Sequence, residues 1–257
     1  MITYDIQKYL QYMELPVIDE AKKNIELKMM EGISVNLQHK SLILDIGTAT
    51  ARYPIFFATK GHEVIGIDII DDSLELSHKN VNMAGLTDKI KLLKMNGTSL
   101  EFEANSFDLV TCMMGTVCHL TEEEKKDLFR EVQRVLKKNG MFVFTSWNPN
   151  FSMTSYLSFY TRQERALLKK NSQTPESLRE MLLIHGLIPI QEYSLIPFSD
   201  EQLLQLELED GFTKLQEVQR YCASQFPKLQ GQLHAFVYQK SGHDNYQGES
   251  IFSDIIN

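Results

Sequence analysis

The sequence predicts a doubly wound α/β domain with a mostly parallel sheet, and two observations carry that expectation. Between residues 41 and 146, short apolar runs alternate with longer segments of helical character. Strands alternating with helices imply parallel strands covered on both faces. The strands also read as continuous apolar runs rather than in alternation, as in Leu42-Ile-Leu44 and Val64-Ile-Gly-Ile67, which is the pattern of strands buried on both sides. With 257 residues and 43% hydrophobic content, the chain has material for a large core without a disulfide or metal staple.

Taken in order, residues 1–40 read as an amphipathic helical cap interrupted at Leu15-Pro16. Ser41–Asp45 is the first strand, and a helix over Ala51–Lys60 follows, closed by Gly61. Glu63–Asp68 is the second strand, and Ser73 is expected to cap a helix running to Met83, with Gly85 behind it. Lys89–Met95 and Phe107–Met113 are the third and fourth strands. Thr121-Glu-Glu-Glu124 has the form of a capping box and predicts a helix to about Leu136. Asn139-Gly140 is expected to turn the chain into a fifth strand, Met141–Ser146. The aromatic-rich stretch at about 149–172 breaks the alternation and reads as a lid-like insertion in a main domain of residues 41–240. Thr174-Pro175 starts another helix. Leu187–Pro197 is a strand, 199–226 a helical stretch and Gln232–Gln239 a last strand, followed by a polar tail over 241–257.

Charge narrows the function. The net charge is −8 and the lysine pairs are scattered, so a phosphate-neutralising basic face is absent from the sequence and no nucleic-acid partner is expected. Cys112, Cys118 and Cys222 are odd in number and match no common zinc spacing. They read as thiols of a reducing cytoplasm, and no metal is expected. No signal peptide is apparent and no apolar run approaches the ~20 residues of a membrane span. Monomer and homodimer are both open.

In a doubly wound sheet, ligands bind beyond the carboxyl ends of the strands, where strand order reverses. The first strand ends in Asp45-Ile-Gly-Thr-Ala-Thr-Ala-Arg52 and the second in Asp68. A dinucleotide site needs three glycines in G-x-G-x-x-G, so that bare backbone can meet the pyrophosphate. From Gly47 the other two positions hold Ala49 and Arg52, which argues against a nicotinamide or flavin. A nucleoside cofactor without phosphate needs only a tight turn with short side chains, and Asp68 has the chemistry to accept two ribose hydroxyls.

Four stretches in order resemble the class I S-adenosylmethionine-dependent methyltransferases: Leu44–Arg52, Gly61–Asp68, Ser106–Val110 with His119-Leu120, and Arg134–Gly140 leading into Phe142–Trp147. The resemblance spans about Leu42 to Pro149 and implies a Rossmann-like methyltransferase fold of seven strands with an antiparallel last strand. It also implies S-adenosylmethionine as cofactor and S-adenosylhomocysteine as product. By the same resemblance, Asp45, Gly47, Thr48 and Ala49 border the methionine end of the cofactor. Asp68 takes the ribose, Ile69 lies against the adenine, and Asn96, Gly97 and Thr98 bracket the adenine edge. The backbone at Met113 faces the amino group. Arg52 pairs with the cofactor carboxylate or with a neighbouring acid. Alanines 49 and 51 stand where the family commonly has glycine, so the turn is expected to avoid positive φ. Asn96 stands where an aspartate is usual, and its carbonyl oxygen is expected to accept from the adenine amino group without charge assistance.

Methyl transfer from a sulfonium is an in-line displacement, so the protein must mainly align the partners and exclude water. His119 is a candidate base, or a residue that orders its loop. Met114, Trp147 and Asn148 follow the strands where acceptors dock, and Tyr156 and Tyr160 belong to the expected lid. The tyrosines at 4, 9 and 12 sit on the N-terminal cap. The reading is transfer to an oxygen or nitrogen of a small molecule. Its rivals are a cofactor-binding protein without transferase activity and a methyltransferase of protein or RNA.

Overall fold

The computed structural model describes residues 26–27, 29–38, 40–147, 162–195 and 233–241. Asn148, Tyr156, Tyr160, the N-terminal tyrosines, Cys222, the 199–226 stretch and the polar tail lie outside them. Among the described residues one sheet is formed by β1 (Leu42–Ile46), β2 (Glu63–Asp68), β3 (Ile90–Lys94), β4 (Phe107–Cys112), β5 (Leu136–Trp147), β6 (Leu187–Leu195) and β7 (Leu233–Lys240). The helices between them are α1 (Arg52–Thr59), α2 (Asp71–Met83), α3 (Glu122–Val135), α4 (Arg162–Asn171) and α5 (Pro175–Ile184).

The strand order is β3-β2-β1-β4-β5-β7-β6. β1 to β5 are mutually parallel, and β7 runs antiparallel to both β5 and β6. The expected sheet, with its antiparallel last strand, is therefore the observed one. The order reverses between β1 and β4, so a crevice opens beyond Ile46 and Cys112. The register sets Asp45 between Gly66 of β2 and Thr111 of β4.

The core explains the apolar runs. Ile43, Leu44, Leu109, Val110, Phe142 and Phe144 are fully buried in the sheet. Phe144 stacks on Phe236, its cross-strand partner on β7, with centroids 4.6 Å apart. The helical residues 26–27 and 29–34 bury Met29, Met30 and Ile33 in the same core.

Local chemistry starts the helices as read at two places. The Thr121 hydroxyl accepts from Glu124 N, and the Glu124 carboxylate accepts from Thr121 N at 2.8 Å, which closes the capping box of α3. Thr174 accepts from Ser177 N ahead of Pro175 in α5. Two readings change. Ser73 is not a cap but a buried residue within α2, which starts after Ile70. The Asp68 carboxylate accepts from Ile70 N at 3.0 Å instead, and Asp71 and Asp72 complement the dipole. Asn139-Gly140 is not a connection into β5 but a bulge within it. The register passes from Phe107↔Leu136 to Leu109↔Met141, so the four residues 137–140 stand opposite Asp108. Asn139 takes the left-handed conformation (φ 63°), and Lys137 donates to both Asp108 oxygens. The chain bends there, but the parallel ladder with β4 holds it on both sides of the bend.

Candidate active site

The loop after β1 is built from backbone. Gly47 N and Thr48 N both donate to Ile67 O, at 2.9 and 3.0 Å. Gly47 has φ 73°, and a Cβ there would lie 2.7 Å from Thr116 Cγ2, so only glycine fits. Gly66 is required for a related reason: a Cβ would lie 2.8 Å from Thr48 Oγ1. The expectation that the alanines avoid positive φ is overturned, because Ala49 has φ 47° and Ala51 φ 60°. An L-residue in that conformation costs roughly 1–2 kcal/mol. Long-range hydrogen bonds offset the cost. Ala49 N donates to Asp68 Oδ2 at 3.0 Å, Ser77 Oγ donates to Ala49 O at 2.7 Å, and Asn80 Nδ2 donates to Thr50 O at 2.9 Å.

Two buried acids face this loop. Asp45 Oδ1 accepts from the Thr111 hydroxyl at 2.6 Å, while Oδ2 is buried with no hydrogen-bond partner among the described residues. Burial raises the Asp45 pKa to about 7, outweighing the neighbouring hydroxyls of Thr111 and Thr48, and the Asp68 charge adds to the rise. Burial also raises the Asp68 pKa, against the backbone N–H groups of Ile70 and Ala49 that favour its charged form. Asp68 Oδ2 accepts from Ala49 N and Oδ1 from Ile70 N, with the Ile69 N–H also favouring the charged form. Ile69, next in sequence, is 54% exposed. Asn96 is exposed, and its Oδ1 already accepts from Thr98 N at 3.0 Å, forming an Asx turn. Gly97 is pressed on Ile46, whose Cγ2 would stand 2.7 Å from an added Cβ.

The loop after β4 closes the other side. Met113 is buried, and its carbonyl accepts from both Thr116 N (3.2 Å) and Thr116 Oγ1 (2.7 Å). Met114 and Gly115 are left-handed, with φ 58° and 74°. Gly115 lies under the indole, where a Cβ would come within 2.7 Å of Trp147 Nε1. His119 ends a short 3₁₀ turn, Thr116–His119, and meets Trp147 edge-on with centroids 6.2 Å apart. Burial of its ring pushes its pKa down to about 4, so the imidazole is neutral and a weak base near pH 7. Trp147 N donates to Cys118 Sγ at 3.3 Å, which ties β5 to this turn.

The structure therefore gathers Asp45, Gly47, Thr48, Ala49 and Asp68 into one cluster, with Ile69 following in sequence. It places Met113, Met114, His119 and Trp147 in a second, joined to the first where Thr116 meets Gly47. Asn96–Thr98 forms a third turn, packed on Ile46. Arg52 opens α1, and its guanidinium carbon lies 5.4 Å from the Tyr53 ring centroid. Sequence reasoning missed Thr116, Gly115 and Gly66, although Met113-Met-Gly-Thr116 carried a turn signal at a strand end. It also missed Glu26, which is fully buried and accepts from Tyr53 Oη at 2.5 Å and Thr145 Oγ1 at 3.1 Å. Nothing marks that glutamate in the sequence. Among the described residues no three His, Cys, Asp or Glu side chains cluster as metal ligands, and no helix is long and apolar enough to cross a membrane.

The methyltransferase-domain family matches residues 43–140, the segment that holds both loops. Demethylmenaquinone methyltransferase of Bacteroides fragilis is 29% identical over 124 residues, 47% of this chain and 49% of the relative. The chain thus spans less than half the length of the curated relatives it matches. Among solved structures, phosphoethanolamine N-methyltransferase 2 of Haemonchus contortus, in complex with S-adenosyl-L-methionine, superposes with TM-score 0.64 at 17% identity, covering 92% of this chain and 56% of that one. The [4+2]-cyclase SpnF superposes with TM-score 0.60 at 15% identity, over 85% and 81% of the two chains. Those two likenesses establish the fold alone. Residues 43–140 are thus similar to the methyltransferase-domain family, and they form β1 to β4, the start of β5 and the switch-point crevice described above.

Proposed function

We propose that the protein binds S-adenosylmethionine at the β1–β4 switch point and transfers its methyl group to a small molecule. The observation that carries this reading is the buried Oδ2 of Asp45, which among the described residues has no partner within hydrogen-bonding geometry, beside a turn that admits no Cβ at Gly47. A buried acceptor without a donor is costly, and a ligand N–H donor would satisfy it. Asp68 would accept the ribose hydroxyls with its remaining lone pairs, and Ile69 would cover one face of the adenine. Thr98, Gly97 and Asn96 would border the adenine edge, with Asn96 contributing through its second lone pair or its amide. Arg52 would meet the carboxylate end, and the Met113 backbone the amino end.

When bound, the sulfonium supplies an activated methyl group with a good leaving group. The residues of this chain supply alignment and dryness. Gly115, Trp147 and His119 form one packed wall, and Met114 extends it. A neutral, weakly basic His119 is poorly suited to deprotonate an alcohol or ammonium. The acceptor that fits this site is a nucleophile that arrives ready: an unprotonated amine nitrogen or an already ionised oxygen. Asn148, Tyr156 and Tyr160, the other acceptor-side candidates of the sequence, lie outside the described residues.

The test is calorimetric titration with S-adenosylmethionine and with S-adenosylhomocysteine, followed by a screen of small-molecule extract for turnover. Micromolar binding of both is expected. A folded protein that binds neither overturns the reading. Binding without turnover on any extract, small-molecule or macromolecular, favours the second reading of a cofactor-holding protein that transfers nothing. The left-handed Ala49 and Ala51 and the engaged Asn96 motivate that alternative.

A further inference from the structure

Glu26 belongs to the N-terminal helical residues, yet its side chain is fully buried among groups that border the site. The two donors it holds are neutral hydroxyls: Tyr53 Oη, 27 positions away, and Thr145 Oγ1, 119 positions away. Tyr53 is the second residue of α1, directly behind the Gly47–Ala51 loop. Thr145 lies on β5 two residues before Trp147, and its hydroxyl also accepts from Gly115 N at 3.2 Å. One carboxylate therefore joins three segments: the N-terminal helix, the start of α1 and the loop after β4. A buried carboxylate held, among the described residues, by two hydroxyls is a demanding arrangement. Replacing it with an apolar side chain would lose both of these hydrogen bonds and leave Gly115 N tied only to Thr145.

We propose that Glu26 is a positioning residue of the methyl-transfer site, clamping the loop after β1 through Tyr53 against the loop after β4 through Thr145 and Gly115. This rests on the cofactor reading above. The Thr145 hydroxyl acts as a relay: it donates to Glu26 and accepts from Gly115, which sets the height of Gly115 under the indole. The Tyr53 hydroxyl anchors the first turn of α1, which fixes the left-handed Ala51 that precedes it. When the clamp is released, each loop keeps its own short-range bonds but their mutual spacing is no longer set.

The experiment is S-adenosylhomocysteine titration of the full chain as wild type, Glu26→Ala, Glu26→Gln, Tyr53→Phe and the Glu26→Ala/Tyr53→Phe double variant. Emission of Trp147, the single tryptophan, is recorded alongside. Glu26→Ala and Tyr53→Phe should each weaken binding by about tenfold, with the double variant no weaker than Glu26→Ala. Glu26→Gln keeps one good acceptor and should fall between wild type and Glu26→Ala. The emission of Glu26→Ala should shift to the red as Gly115 loosens beneath the indole. Folded Glu26→Gln and Tyr53→Phe proteins with wild-type affinity overturn the proposal, even if their melting temperatures fall. So does a double variant whose loss is the product of the two single losses. A wild-type protein that binds no S-adenosylhomocysteine or S-adenosylmethionine overturns the cofactor reading itself, a separate and recognisable result.

Discussion

The two loops of the site are made in different ways. The proposed cofactor side, after β1 and β2, is a backbone construction in which glycines and strained alanines are pinned by Asp68, Ser77 and Asn80. The proposed acceptor side, after β4 and β5, is a packing construction in which Gly115 and His119 both rest on Trp147. The difference follows from their tasks. A nucleoside cofactor is recognised by fixed hydrogen-bonding groups, which a short motif can encode. An acceptor is recognised by shape, which depends on side chains from distant segments.

The contrast is broken most strongly at Asp68. Asp68→Ala removes the acceptor of Ala49 N and Ile70 N and the proposed ribose contact together. Cofactor affinity should fall at least tenfold and stability by about 2 kcal/mol. Calorimetry and chemical denaturation read the two losses, and unchanged affinity in a folded variant would remove the ribose assignment. On the packing side, Gly115→Ala should cost about 1–3 kcal/mol, because the new methyl meets Trp147 and the left-handed backbone resists alanine. Denaturation followed by Trp147 emission measures it.

The buried titratable groups of the two sides have opposite pH signs. Asp45 is raised from 3.8 to about 7, so between those values the folded state holds the proton that the unfolded state has lost. That group makes stability fall as pH rises from about 4 to about 7. His119 is lowered from 6.5 to about 4, so over nearly the same window the unfolded state holds the extra proton. That group makes stability rise with pH. Each slope is at most about 1.4 kcal/mol per pH unit. Compared with wild type, Asp45→Asn should therefore gain stability as pH rises from 4.5 to 6.5, and His119→Ala should lose it. Melting temperatures across that range give the answer. Under the same reasoning His119→Ala should leave the pH profile of turnover near neutrality unchanged, and a shifted profile would restore the histidine as a base.

The smallest effect sharpens the account of strain. Ala49→Gly relieves a left-handed alanine and should stabilise by about 0.5 kcal/mol, the net of relieved strain and the greater freedom of the unfolded chain. A loss instead would mean that the methyl group packs usefully in the loop.

The turn after β1 and the strand-end acids were legible because their information is local. Asp45, Gly47 and Asp68 sit at the ends of apolar runs, and a strand followed by a tight turn is readable from residue order alone. Ser73 misled because a serine before a helical segment is a common cap, while the chain enters α2 earlier, after Ile70, with Asp68 accepting from Ile70 N two residues on. Ala49 and Ala51 misled for a related reason. Their left-handed conformation is imposed by Ser77 and Asn80, some 30 positions away, and intrinsic preference yields to such constraints. The acceptor half was only partly legible. Trp147 and His119 could be named, but not that they touch.

By itself, then, the sequence determined the order of strands and helices, the switch-point crevice and the acids that line it, because hydrophobic period and turn chemistry act over a few residues. The tertiary structure decided what those groups are free to do. Only packing could bury Asp45 and His119 enough to move their proton affinities in opposite directions. Only chain crossing could bring Glu26 to Tyr53 and Thr145, because contacts between residues far apart in sequence are fixed by how layers stack and not by any local pattern.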